Sequence, residues 1–158
     1  MIRKLFLTAL LAVTPAIAGA AEVGTYGPRI GFSSGPDQIV FGGQYAVAEV
    51  ADHLTFDPNL ELGFGDDATI IAFNLDLHYE FQTNTTWRPY AGAGIGISFV
   101  SFDAPPPAND ESDTDVGGAL IIGAEAPPRG NGRFFGELKL GLGDIPDLKL
   151  MVGWNFKR

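Results

Sequence analysis

Nine ionisable residues recur at positions that face the same side of short alternating segments, and they include the groups used in acid–base chemistry. They are Arg29, Glu61, Asp76, His78, Glu80, Glu125, Glu137, Lys139 and Lys149. Paired carboxylates can act as general acid and general base. Buried charges of both signs more often form a structural network, because each charge needs a partner. We therefore predict a polar network among these nine residues and no catalytic residue.

The residue types needed for nucleophilic or cofactor chemistry are sparse. The sequence has no cysteine, and neither His53 nor His78 has a nucleophile and a carboxylate at strand spacing beside it. Gly92, Gly94 and Gly96 have the composition of a phosphate-binding loop, but no helix follows them. We interpret these glycines as small residues that face a narrow interior, and we expect no cofactor.

Acidic residues are concentrated in the segment that follows Phe102, and Asp110, Glu111, Asp113 and Asp115 form the densest group. This group lacks the glycine and the distal glutamate of an EF-hand loop. A run of like charges is usually a solvated surface. The sharper alternative is a weak divalent-cation site formed by these four carboxylates, and no other metal site is predicted.

Apolar residues alternate with small or polar residues along most of the chain. From Ile71 to Phe81 every second residue is apolar or aromatic, which is the period of a β-strand with one apolar face. Seven further segments have the same period and contain Ile30, Ile39, Leu60, Ala91, Val116, Leu138 and Leu148. Turn-forming residues separate the segments. The pattern predicts an all-β, eight-stranded antiparallel up-and-down barrel, because closure removes exposed strand edges.

Three observations favour a transmembrane barrel whose apolar face is turned outward into lipid. The alternate face carries too few charges for a water-exposed surface and suits a narrow lumen. Outward aromatic residues collect near the even-numbered connections and the C-terminus, as in a membrane-interface girdle; they are Tyr79, Phe81, Trp87, Phe134, Trp154 and Phe156. The odd-numbered connections include the longest, 102–113, and outer-membrane barrels place long loops outside.

The first twenty residues have the three-part pattern of a secretory signal. Arg3 and Lys4 precede a short apolar core, and small residues end at Ala20. We expect a signal peptide over 1–20 and a barrel domain over 21–158. The net charge of −9 argues against nucleic acid as a partner, because phosphate binding needs clustered Lys and Arg.

Three segments resemble strands of a known family. Pro89-Tyr90-Ala91-Gly92-Ala93-Gly94-Ile95-Gly96 is similar to a strand of the bacterial outer-membrane β-barrel domain family, the OmpA/OmpX-like eight-stranded barrels. Phe135-Gly136-Glu137-Leu138 and Gly153-Trp154-Asn155-Phe156 resemble the late and closing strands of that family. The resemblance covers 22–158. It implies an outer-membrane barrel whose partners are outer-membrane lipid, lipopolysaccharide and the barrel assembly machinery.

The expected function is that of an integral outer-membrane protein, exported through the inner membrane, without enzymatic activity. Such a protein would act in envelope integrity or in surface interaction. One alternative is a soluble periplasmic lipocalin-like barrel that holds an apolar ligand inside. A second alternative is a lipid-modifying outer-membrane enzyme, although neither histidine is expected on the outer face near the outer leaflet. A pore is not expected, because side chains fill an eight-stranded barrel.

Overall fold

The computed structural model describes residues 23–66, 68–102 and 111–158, so the predicted signal peptide lies outside the described residues. Nine β-strands occur in these ranges: β1 (Tyr26–Ser34), β2 (Gln38–Tyr45), β3 (Ala48–Ala51), β4 (Leu54–Phe64), β5 (Ala68–Glu80), β6 (Arg88–Phe102), β7 (Glu111–Glu125), β8 (Gly132–Gly143) and β9 (Leu148–Phe156). They form one sheet in the order β2-β1-β9-β8-β7-β6-β5-β4-β3, which β2 closes by pairing with β4. The described ranges contain no helix that is long and apolar enough to cross a membrane.

The strands β2 and β3 both pair with β4, one after the other, and are two halves of one interrupted strand. Counted in this way, the closed barrel has eight strands. Gln44 of β2 lies opposite Asn59 of β4, and Ala48 of β3 lies opposite Phe56. This change of register inserts one extra residue between the two parts, which is a β-bulge. All neighbouring strands pair in antiparallel fashion. The predicted all-β, eight-stranded antiparallel barrel is therefore confirmed.

Two strands are longer than the sequence predicts. The strand β4 begins at Leu54 rather than near Leu60, although it contains Pro58. Pro58 lies between Asn59, which is opposite Gln44 of β2, and Phe56, which is opposite Ala48 of β3, so it lies beside the bulge. Proline is tolerated at a bulge because fewer ladder bonds are needed there. The strand β7 begins at Glu111, so Asp113 lies in a strand and not in the predicted connection 102–113.

The two ends of the barrel carry different connections. We call the end with Tyr26, Phe156 and the connections 52–53, 81–87 and 126–131 the turn end. The opposite end, with the connections 35–37, 65–67, 103–110 and 144–147, is the loop end. The longest connection is at the loop end, as predicted, but the other three there are shorter than 81–87. Connection length alone therefore does not distinguish the ends.

Side chains alternate between the outer surface and the lumen along each strand. Many large apolar side chains on the outer surface are exposed, among them Val152 at 36% and Ile95 at 63%. Tyr79 and Phe81 contact each other at the turn end, with ring centroids 5.3 Å apart. Most inward residues are small or polar, and many of them are ionisable side chains that are buried; larger apolar side chains such as Phe135 and Met151 are the exceptions. The barrel thus has an apolar outside and a largely polar inside.

The lumen at the loop end is filled by apolar side chains. Ala68, Ile70, Ala72 and Val100 form a buried cluster there. Ile145 from the 144–147 connection folds over Gly117, where an added Cβ would lie 2.9 Å from two carbon atoms of the isoleucine side chain. Glycine at this position lets the connection enter the mouth of the barrel.

Candidate functional site: the polar lumen

Arg29 lies in the middle of the lumen and joins two carboxylates. Its Nη2 atom is 2.6 Å from Glu137 Oε1, and its Nε atom is 3.3 Å from Glu61 Oε1. Its Nη1 atom donates a hydrogen bond of 2.8 Å to Gln44 Oε1. The guanidinium group stays charged and presents several donors in one plane, so it can hold two buried carboxylates at once.

Two lysines provide the other positive charges of the lumen. Lys149 Nζ is 2.6 Å from Glu61 Oε2. Lys139 Nζ bonds to the Asp76 carboxylate and lies 3.8 Å from Glu137 Oε1. Each of these three carboxylates therefore has a cationic partner, which offsets the cost of burying the charges. The ion pairs connect β1, β4, β5, β8 and β9 across the barrel.

Asparagine side chains extend the network, and glycines make room for it. Asn59 Nδ2 donates to Asp76 Oδ2 at 2.7 Å, and Asn74 Nδ2 donates to Asn59 Oδ1 at 2.8 Å. Gly94 lies opposite Asp76, and Gly96 lies opposite Asn74. A Cβ at either glycine would overlap the side-chain oxygen of the residue opposite. The glycine run of β6 thus allows polar side chains of β5 to reach across the lumen.

His78 lies closer to the turn end, between two carboxylates. Its Nδ1 atom is 3.4 Å from Asp57 Oδ2, and its Nε2 atom is 3.7 Å from Glu137 Oε2. The imidazole packs against Tyr90, with ring centroids 4.8 Å apart. The Tyr90 hydroxyl donates a 2.8 Å hydrogen bond to Glu137. These contacts hold the histidine in a packed interior, away from the outer surface of the barrel.

The network reaches solvent at the turn end. Arg88 Nε is 3.4 Å from Glu80 Oε1. Asn155 Nδ2 donates to Glu125 Oε1 at 2.7 Å, and Gln44 Nε2 donates to Asn155 Oδ1 at 2.7 Å. Because Gln44 also accepts from Arg29, this half-buried rim is linked to the centre of the lumen.

The structure places all nine of the predicted network residues on the lumen side, in one connected set. It also adds Gln44, Asp57, Asn59, Asn74, Arg88, Tyr90 and Asn155 to that set. Sequence alone does not identify Asp57 and Asn59, because Pro58 stands between them and proline argues against a strand. Tyr90 and Asn155 occupy inward positions of the predicted alternation, so the sequence pattern could have identified them as lumen residues.

The four residues of the predicted cation site are only partly described. Asp110 lies outside the described residues, and so does the side chain of Glu111. Asp113 and Asp115 lie two residues apart on one face of β7. Within the described ranges, no group of three or more His, Cys, Asp or Glu residues is arranged to hold a metal ion. The divalent-cation site stays a prediction.

Solved structures with the same fold include three bacterial barrels. The N-terminal β-barrel domain of Pseudomonas aeruginosa OprF has a TM-score of 0.68 at 14% identity, covering 85% of this chain and 97% of that one. Neisserial surface protein A has a TM-score of 0.66 at 16% identity, covering 89% and 100%. Ail, the attachment invasion locus protein of Yersinia pestis, has a TM-score of 0.53 at 17% identity, covering 85% and 98%.

These similarities show the fold of OmpA-like eight-stranded outer-membrane barrels, and the resemblance seen in the sequence is therefore confirmed at the level of fold. No protein-family model matches the sequence, and no curated protein sequence matches it either.

Proposed function

We propose that the chain is an integral outer-membrane barrel, made with a signal peptide over 1–20, that acts in envelope integrity or surface interaction without catalysis. The observation that carries this proposal is the apolar outer surface. Ile95 at 63% and Val116 at 61% are among the many large apolar side chains exposed around the barrel. Soluble monomers rarely expose a continuous apolar surface of this kind.

The distribution of aromatic residues supports a membrane boundary at the turn end. Phe134 and Trp154 contact each other with ring centroids 6.2 Å apart, and Trp154 and Phe156 do so at the same distance. Aromatic side chains of this kind are enriched where lipid headgroups meet the hydrocarbon core. With this end in the periplasm, the acidic loop end faces lipopolysaccharide and the exterior.

The packed lumen argues against the soluble-carrier alternative. A carrier of apolar ligands needs an apolar interior cavity, whereas the centre of this lumen holds Arg29, Glu61 and Glu137 in direct ion pairs. Phe135 and Met151 are fully buried and occupy further interior volume. The same filling is what is expected of an eight-stranded barrel that does not conduct.

The positions of the histidines argue against a lipid-modifying enzyme. His53 lies in the 52–53 connection at the turn end, and His78 lies inside the lumen. Neither is on the outer surface near the loop end, where lipid of the outer leaflet would be attacked. We expect the purified barrel to leave lipopolysaccharide and phospholipid unchanged, as measured by mass spectrometry of the lipids after incubation.

The proposal that the apolar face contacts lipid is tested by placing an arginine at two depths on the outer face of one strand. Ile95 lies at the middle of β6, and Ser101 lies on the same face near its loop end. We expect Ile95→Arg to lower the free energy of unfolding in lipid vesicles by about 2–4 kcal/mol, and Ser101→Arg by about 0–1 kcal/mol. Urea unfolding followed by tryptophan fluorescence measures both.

Two results would contradict the proposal. Equal stability of Ile95→Arg and the unchanged chain in vesicles would mean that this face does not contact lipid. Recovery of the expressed protein in the soluble periplasmic fraction, rather than in carbonate-washed membranes, would favour the soluble carrier.

A further inference from the structure

The exposed basic residues of the barrel belong to one part of the turn end. The chain has ten Lys and Arg residues, and Arg3 and Lys4 lie in the predicted signal peptide. Five others are buried in the lumen or half-buried at its rim, and they are Arg29, Arg88, Arg133, Lys139 and Lys149. The remaining three, Arg129, Lys157 and Arg158, are exposed. We call these three the basic corner.

Backbone contacts hold the basic corner beside Trp154. The Lys157 amide donates a 2.7 Å hydrogen bond to the Asn131 carbonyl, which joins the end of β9 to the connection between β7 and β8. Arg129, in the same connection, pairs with Gly132 at the start of β8. An added Cβ at Gly132 would overlap the indole nitrogen of Trp154, so the indole covers this glycine. The bases therefore adjoin an aromatic side chain of the proposed membrane boundary.

Trp154 also lines a shallow hollow of about 510 Å³ on the outer surface of the barrel, which we call the outer groove. Phe134, Phe41 and Val152 are further lining residues. The groove arises at Pro28, because this side chain is compact and the residue opposite it is a glycine. In a membrane, a lipid acyl chain fills such a groove, since water does not enter the hydrocarbon core. The charge beside the groove then decides which lipid is held there.

The other side of the turn end has the opposite charge. No Lys or Arg occurs between Arg29 and Arg88 in the sequence, so β2, β3, β4 and β5 have no basic residue. The hairpin formed by β3 and β4 carries Glu49 and the exposed Asp52 at this end. The positive charge of the turn end and the outer groove therefore meet at Trp154, on the side of β8 and β9.

We propose that the outer groove and the basic corner together bind one anionic phospholipid, with an acyl chain in the groove and the phosphate at the bases. Lys and Arg bind phosphate oxygens through charge-assisted hydrogen bonds. Tryptophan lies where headgroups begin. Lys157 and Arg158 follow Trp154 by three and four residues, which at the rise of a strand places them about 10 Å further out, among the headgroups. This assignment rests on the proposed function, since a soluble barrel would meet no lipid.

The two tryptophans of the chain, Trp87 and Trp154, allow the lipid beside each to be measured separately. Trp87→Phe leaves the reporter at the basic corner, and Trp154→Phe leaves the reporter in the connection between β5 and β6. The full chain is refolded into phosphatidylcholine vesicles that contain a minor fraction of phosphatidylglycerol brominated on its acyl chains. Quenching is compared with that by the same fraction of brominated phosphatidylcholine.

We expect the lipid beside Trp154 to show a preference for phosphatidylglycerol of at least about threefold, since each exposed base near an anionic headgroup contributes a few-fold. Beside Trp87 we expect a preference near one. Raising the NaCl concentration should lower the preference at Trp154, because salt screens exposed charges.

Three sets of variants separate the basic corner from the general charge of the protein. Arg129→Gln, Lys157→Gln and Arg158→Gln together should bring the preference beside the indole to near one. Arg129→Lys with Arg158→Lys keeps the charges and should retain the preference. Glu49→Gln with Asp52→Asn changes the charge of the same end on its other side and should leave the preference unchanged.

A pair of matched variants tests the outer groove. Val152→Phe fills the groove, and Val116→Phe adds the same bulk to the outer surface at the loop end, where Val116 is 61% exposed. Native mass spectrometry of barrels extracted from vesicles containing phosphatidylglycerol counts the retained lipid. We expect one retained lipid in the unchanged chain and in Val116→Phe. In Val152→Phe we expect at least about twofold lower occupancy, since the acyl chain loses its contacts there.

Several outcomes would overturn the proposal. Equal quenching by the two brominated lipids beside Trp154 would do so while leaving the membrane location intact, whereas quenching by neither lipid would overturn both. A stronger preference in the Glu49 and Asp52 variant would mean that the charge of the whole end attracts the lipid. Quenching that falls as the protein-to-lipid ratio rises would mean that a second copy covers the groove. Equal loss of retained lipid in the two phenylalanine variants would mean that the groove is not the site. Folding of each variant is checked by the heat-modified gel mobility of the barrel.

Discussion

Two parts of the lumen are held together in different ways. In the central and turn-end part, Arg29, Glu61 and Glu137 are buried charges that depend on one another for partners. At the loop end, Ile70 and Val100 pack against small side chains, and polar groups make single bonds to backbone oxygens. We call these the charged part and the apolar part.

The two parts should differ in how the loss of one side chain affects the residues around it. Removing one member of an ion-pair network leaves its partners buried and unpaired, so the cost exceeds that of the deleted contact. Removing part of an apolar side chain costs the lost transfer free energy and the cavity left behind, with little effect on distant groups. In the charged part, one substitution should therefore destabilise several residues of the network at once. In the apolar part, each substitution should lower the free energy of unfolding independently of the others.

The largest effect is expected when the network loses its most connected carboxylate. Glu137→Leu removes the closest carboxylate from the Arg29 guanidinium and the acceptor from the Tyr90 hydroxyl, and Arg29 keeps only Gln44 and the more distant Glu61. We expect the free energy of unfolding to fall by about 3–5 kcal/mol, the usual cost of breaking a buried ion pair from one side. Urea unfolding in lipid vesicles, followed by tryptophan fluorescence, measures the loss.

A matched control removes one hydrogen bond from the apolar part. Gln38 is 3% exposed, and its Nε2 atom donates to the Ala68 carbonyl at 3.0 Å. That oxygen also accepts from the Gly65 amide at 3.0 Å, so it keeps a partner in Gln38→Leu. We expect a loss of about 1 kcal/mol. Losses of the same size for the two variants would show that the two parts are not held differently.

A smaller effect is expected from truncating an apolar side chain at the loop end. Ile70→Ala should lower the free energy of unfolding by about 2–3 kcal/mol, and Ile70→Val by about 1 kcal/mol. Both losses should be unchanged between low and high NaCl, because no charge is involved. A loss that shrinks in high salt would show that electrostatics also govern the apolar part.

Replacing both members of an ion pair sharpens the comparison. In Arg29→Met combined with Glu137→Leu, neither charge is left without the other, and Glu61 keeps Lys149 at 2.6 Å. We expect a net loss of about 1–2 kcal/mol, less than for Glu137→Leu alone, because paired apolar replacements of buried ions are often tolerated. A double-mutant cycle measures the coupling. Simple addition of the two single losses would contradict a shared network.

The fold was predictable from the sequence because its signal is repeated on every strand. The period from Ile71 to Phe81 recurs around the barrel, and closure follows from the need to remove edges. The partners of the network were not predictable. Arg29, Glu61 and Glu137 are far apart in sequence, and only the register between strands brings them together.

Local exceptions also escaped prediction. The first half of β4 was not predicted because it contains Pro58. A proline is accommodated in this strand only because the neighbouring strand has a bulge between β2 and β3. The start of β7 at Glu111 was hidden because its first residues are acidic and show no apolar alternation. Pairing with β6 fixes those residues as strand despite their weak preference, since Ser101 lies opposite Ser112 there.

The smallest effect is expected at the turn-end rim of the charged part. It tests whether the cost of losing a carboxylate depends on how deeply that carboxylate is buried or only on its charge. The Glu125 side chain is 16% exposed, and Arg88 Nη1 and Arg133 Nε each lie 4.0 Å from its Oε2 atom. In Glu125→Gln, the amide oxygen can still accept from Asn155, and Arg88 keeps Glu80 at 3.4 Å.

Because solvent reaches this rim and each cation keeps another partner, we expect Glu125→Gln to lower the free energy of unfolding by less than about 1 kcal/mol. Arg133 retains its hydrogen bonds to the Thr86 and Ala126 carbonyls at 2.9 and 3.0 Å. Urea unfolding in vesicles at two NaCl concentrations measures the loss, which should diminish as salt screens the exposed charges. A loss close to that of Glu137→Leu would mean that the network is equally dependent on every carboxylate, and burial would then not explain its collective behaviour.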